Sequence, residues 1–145
     1  MVLGDLAKFQ KIKIMKNIKT FFDYLFCKYY WFQIRVGNGD IAKYTPLLII
    51  AGVLNLYLLF FFMLINIFFD IKLPQIPKII YFIGFFGVLS LLYMLLVYNT
   101  KYKRIINDDK NKRKSNVLAI LFPLIGFLLF NIGWILKMLQ NQGRI

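Results

Sequence analysis

The chain has 145 residues, 60% hydrophobic and 19% aromatic, with a mean hydropathy of +0.65, well above a soluble domain, where roughly half the residues are apolar. Nineteen Lys and Arg against six Asp leave a net charge of +13, which in so apolar a chain must gather in a few places. With no His, no Glu and a single cysteine, Cys27, the commonest general base, the usual histidine metal ligands and any internal disulfide are excluded.

The first segment, residues 1–43, carries Lys8, Lys11, Lys13, Lys16, Lys19 and Lys28, so it has no continuous apolar core of a cleavable signal peptide and is expected to be retained. The run MKNIKTFFDYLF from Met15 would itself make a plausible start, and the residues before it are expected to be weakly constrained. Apolar residues then recur at helical spacing: Ile14, Ile18, Phe21, Phe22, Leu25, Tyr29 and Phe32, with Lys16, Lys19, Thr20 and Asp23 on the other side. This pattern predicts an amphipathic helix lying in the membrane interface, its lysines toward the headgroups. It does not predict a crossing, since Lys19, Asp23 and Lys28 would each cost about 2.5–3.5 kcal/mol near the bilayer centre. VGNGD, Val36 to Asp40, predicts a turn, with Asp40 placed to cap the next helix. Cys27 reads as a small buried hydrophobe or an interfacial thiol.

Residues 44–145 are predicted to form a three-helix membrane domain. YTPLLIIAGVLNLYLLFFFMLINIFF runs 26 residues without a charge, and IIYFIGFFGVLSLLYMLLVYNT and SNVLAILFPLIGFLLFNIGWIL run 22 each, against the roughly 20 that a helix needs to cross the hydrocarbon. The spans are placed at about 46–69, 79–99 and 116–136. Pro123 in the third is tolerable because neighbouring helices can re-satisfy the freed carbonyl. The fold class is therefore an all-α membrane protein, three transmembrane helices preceded by an amphipathic interfacial helix.

Orientation follows from the short connections. The leader and the second connection, KYKRIINDDKNKRKSN, hold most of the cations, whereas DIKLPQIPK has only Lys72 and Lys78 and the tail only Lys137 and Arg144. The positive-inside bias puts the N-terminus and second connection in the cytoplasm and the C-terminus outside, in a plasma membrane. In the second connection Asp108 and Asp109 are the only adjacent carboxylates; without a further acid or His to complete a coordination shell, they read as a solvated turn. Its cations, tethered beside a bilayer, are nearer to anionic headgroups than to nucleic acid, at about 1 kcal/mol per cation close to the surface. Lys16, Lys19, Lys103, Arg104, Lys112, Arg113 and Lys114 are the expected headgroup contacts, and nucleic acid is not an expected partner.

Within the crossings, Asn55 and Asn66 are eleven positions apart and share a face. Gly84 and Gly87, continued by Ser90 or Leu91, make a small-residue strip on the second crossing; Gly126 and Gly133 make one on the third. Small residues let helices approach, and membrane amides seek partners on other helices, so these residues are expected to pack the chain's own bundle or an oligomer. Asn131, roughly opposite Gly133, points to a contact with another subunit or partner. No crossing holds an ionisable acid or base in the interior of its uncharged run, which argues against a one-chain channel or an ion-coupled transporter. No nucleophile has a His or Glu to activate it, so no enzyme activity and no cofactor or metal is expected.

The leader with FFDYLF and KYYWFQIRVGNGD, followed by a lysine-rich loop before the last crossing, resembles small multi-pass bacterial membrane proteins to which no activity is assigned. Some proteins of this build are encoded beside toxin or defence genes. The expected role is an interaction protein that binds another membrane protein, as an immunity or accessory subunit would. The alternative is an effector that oligomerises and permeabilises the bilayer.

Overall fold

The computed structural model describes residues 2–69 and 78–143. The connection after the first crossing, with Asp70 and Lys72, and the terminal Arg144 lie outside the described residues. The described chain is all helix: α1 (Val2–Arg35), α2 (Thr45–Phe69), α3 (Lys78–Leu96), α4 (Lys101–Asn107), α5 (Asp109–Arg113) and α6 (Val117–Asn141), with 3₁₀ turns at Gly39–Ile41 and Tyr98–Thr100. Three stretches, Thr45–Phe69, Ile79–Leu96 and Val117–Asn141, are long and apolar enough to span a bilayer, so the all-α architecture with three candidate crossings stands.

The chain divides into two compact units: residues 1–46 with 95–114, and residues 47–94 with 115–145. The second connection thus belongs with the leader. It joins the leader through the contacts of α1 with α4 and α5.

In the first unit, α1 ends where the sequence supplies a glycine. Gly37 adopts φ +85°, and the amides of Gly37 and Asn38 donate to the carbonyls of Ile34 (3.2 Å) and Gln33 (2.9 Å). These two bonds, with a left-handed residue just past the last turn, satisfy the orphaned carbonyls. Asp40 lies inside the turn Gly39–Ile41, four or more residues ahead of α2, and is not the helix cap expected of it. Pro46 sits in the first turn of α2, where its missing N–H costs nothing. Between α3 and α4, Asn99 and Thr100 both take positive φ (55° and 59°). Asn tolerates the left-handed region, whereas a β-branched residue there is strained. The helix therefore stops at Leu96, three residues before the expected end of the second span.

The second unit is organised by α6. Ala119, Phe122, Gly126, Leu129, Gly133, Leu136 and Gln140 are its buried or half-buried stripe, spaced alternately three and four. A seven-residue repeat of this kind marks a left-handed helix–helix seam. The facing helix is α2: a Cβ on Gly126 would stand 3.1 Å from Val53 Cγ1, and one on Gly133 would stand 3.0 Å from Phe60 Cδ2. The Tyr57 hydroxyl donates to the carbonyl of Phe122 at 3.0 Å, beside Pro123, and its ring lies against that of Phe122.

Candidate functional site

Two sets of residues in separate units hold the polar chemistry of the molecule. The first lies on α1, where Asp23, Tyr24, Cys27, Lys28 and Trp31 recur at three- and four-residue intervals and so share one face. The helices α4 and α5 dock against α1. The Trp31 indole Nε1 donates to the carbonyl of Ile106 at 3.2 Å. Lys28 Nζ donates to the carbonyl of Lys112 at 2.9 Å and to that of Lys114, satisfying groups that the end of a five-residue helix leaves open. In return Lys112 Nζ stands 5.2 Å above the Trp31 ring and Lys114 Nζ stands 5.5 Å above the Tyr24 ring, each a cation–π contact. A further one places Lys43 Nζ over Tyr102 at 5.2 Å. The arrangement is a clasp in which α1 sends one lysine forward and the loop returns two.

The clasp bears on three residues. Lys112 and Lys114, expected at headgroups, are exposed and also contact rings within the unit, whereas Asp23, expected on the outward lysine face, is half-buried there. Half-buried beside the loop, Asp23 keeps a buried Oδ1 with no hydrogen-bond partner among the described residues. Burial pushes its pKa up, Lys19 and Arg104 pull it down, and Asp108 adds to the rise. Because the folded state holds this proton more tightly than the unfolded chain, the group favours folding below the ordinary carboxylate range. That advantage is lost as pH rises through its raised value. Asp23→Asn removes the desolvated charge while keeping the side chain's shape, and is therefore expected to stabilise the first unit at neutral pH by about 1 kcal/mol or less, small because the carboxyl is partly solvated. It should also flatten the dependence on acid. Thermal unfolding of the two proteins across pH checks both.

Asp108 caps α5: its side chain accepts from the Lys110 amide at 3.0 Å and from Asn111 Nδ2 at 3.3 Å. Asp109 is exposed, with Lys112 at 4.0 Å, a pair worth little at a surface. Cys27 is fully buried, and burial raises the pKa of its thiol. Among the described residues no three of Cys and Asp come together to hold a metal.

The second set lies in the second unit. Asn66, 8% exposed, accepts at Oδ1 from Lys137 Nζ, which also donates to Gln140 Oε1 at 2.7 Å. Lys137 thus stands inside α6, one turn before its end, where the third span was expected to have stopped. The candidate span Val117–Asn141 therefore includes a cation, held by two amide oxygens. Asn55 does not join Asn66; its Nδ2 returns to the Ala51 carbonyl of its own helix at 2.8 Å. Gly126 and Gly133 lie against α2, and a Cβ on Gly133 would also stand 3.2 Å from Met63 Sδ. By contrast, a Cβ on Gly84 or Gly87 would meet nothing within 4 Å. The less exposed face of α3 is Phe85, Val88, Leu89 and Leu92, so these glycines do not close a seam among the described residues. Asn131 is exposed, with Nδ2 donating to Phe127 of its own helix at 2.7 Å.

Sequence spacing alone missed Lys28, Trp31 and Tyr24 as a docking face, although their four- and three-residue intervals were visible. It also missed Ala119, which stands seven residues before Gly126. No protein-family model matches the chain, and comparison with curated proteins and with solved structures finds no similar protein.

Proposed function

We propose that the chain is a multi-pass protein of the bacterial plasma membrane, first unit cytoplasmic and C-terminus outside, which acts without catalysis as an interaction protein for another membrane protein. The orientation is supported by fifteen of the 19 Lys and Arg falling in the first unit, on the side the positive-inside bias assigns to the cytoplasm. The interaction role rests on Asn131. Its amide is exposed near the middle of α6 and turns back on its own backbone, in a stretch where polar side chains ordinarily bond across helices. Gly84 and Gly87, open on α3, offer a second close-approach surface to the same partner. An immunity or accessory subunit would use such faces to hold its target.

Asn131→Leu is expected to release a copurifying membrane protein, or a second copy, on native electrophoresis in mild detergent while insertion stays intact. An unchanged complex removes Asn131 from the interface. Expression of the wild-type chain alone should leave the membrane potential intact; its collapse would favour the permeabilising effector instead.

A further inference from the structure

α1 is one helix with two different surroundings. From Phe22 to Gln33 it carries the buried and half-buried residues that the clasp holds. From Gln10 to Phe21 every side chain described is exposed, Ile14 at 58%, Ile18 at 52% and Phe21 at 36%. A helical stretch of this length is marginal in water on propensity alone and is normally stabilised by burying an apolar face. At 100° per residue, Ile14, Ile18 and Phe21 fall within an arc of about 60°, while Lys16 and Lys19 stand on the opposing side and Lys13 on the flank. Of the apolar residues here, Ile12 stands among the lysines and Met15 at the edge of the stripe.

We propose that this exposed half of α1 is a docking segment for an anionic phospholipid surface, with Ile14, Ile18 and Phe21 entering the acyl boundary and Lys13, Lys16 and Lys19 holding the phosphates. Charge complementarity selects the occupant. The unit that carries the segment holds fifteen cations against five Asp, and apolar stripes flanked by lysines bind anionic interfaces. The cations of α1 are joined by Lys103 and Arg113, both exposed, while Lys112 and Lys114, also exposed, stand over Trp31 and Tyr24. The segment rests on the membrane reading of the chain and not on a protein partner.

The test uses the full chain, one copy per nanodisc, with an environment-sensitive fluorophore at Ile18→Cys or at Thr20→Cys, the latter exposed on the lysine side; buried Cys27 stays unlabelled. In discs of phosphatidylcholine with phosphatidylglycerol, the label at 18 is expected to shift to the blue and be quenched by brominated lipid, while the label at 20 stays in water. Removing phosphatidylglycerol, raising salt, or combining Lys16→Glu with Lys19→Glu should release the segment, by roughly fivefold per lysine for simple neutralisation and more for reversal. Trypsin resistance of α4 and α5 confirms that the first unit stays folded in each variant. The proposal fails if position 18 remains in water in the anionic discs, if it is equally buried in phosphatidylcholine alone, or if it is buried only when discs hold two copies.

Discussion

Gly133→Leu is expected to destabilise the second unit by about 2–4 kcal/mol, read as an earlier midpoint when helicity is followed against added sodium dodecyl sulfate. The first atom added already stands 3.0 Å from Phe60 Cδ2 and 3.2 Å from Met63 Sδ, and three more carbons must fit behind it. Overpacking a close contact costs about 1–3 kcal/mol. The bond from Lys137 to Asn66 lies one turn further along the same seam; spreading the helices strains it as well, and interhelical bonds of this kind contribute about 0.6 kcal/mol, up to about 1.7. Gly84→Leu and Gly87→Leu supply the contrast. Both enter open space on α3 and should shift the midpoint by no more than about 0.5 kcal/mol, as surface changes do. Equal losses at Gly133 and Gly84 would mean that the α2–α6 seam is not what holds the unit.

That contrast also marks what the chain's letters disclose. Three uncharged runs longer than the hydrocarbon core dictate three helices, because no other backbone arrangement within a single run satisfies its own polar groups in lipid. The turn after α1 is equally legible, since Gly37 is the residue that tolerates the left-handed conformation the cap requires. Which glycines meet a neighbour is not legible. Gly84 and Gly87 look as suitable as Gly126 and Gly133, and only the seven-residue repeat of Ala119, Gly126 and Gly133 sets the latter apart. Lys137 was hidden for a different reason. A lysine after a long apolar run normally marks the water boundary, and nothing in the run itself shows that α6 continues to Asn141 or that Asn66, 71 residues away, accepts from the ammonium. Asp23 was misplaced because periodicity assigns a carboxylate to the solvent face, whereas the docking of α4 and α5 makes that face an interface.

Trp31→Ala should open the clasp, and trypsin cleavage within Lys110–Lys114 should accelerate about thirtyfold, the equivalent of about 2 kcal/mol when opening is fast relative to cleavage. Truncating a tryptophan costs about 3–5 kcal/mol when it is fully buried; this ring is half-buried, so the lower figure applies. Two further contacts go with it, the indole bond to Ile106 and the seat of the Lys112 ammonium. Trp31→Phe separates them: it keeps a ring for the cation and loses the N–H donor, and should accelerate cleavage only by the few-fold that one neutral hydrogen bond is worth. Lys28→Met acts from the other side. It retains the apolar stem but leaves the carbonyls of Lys112 and Lys114 without their ammonium, so cleavage should rise although every contact of Trp31 remains. If Trp31→Ala leaves the loop as resistant as before while Lys28→Met does not, Lys28 and Tyr24, and not Trp31, hold α4 and α5 against α1.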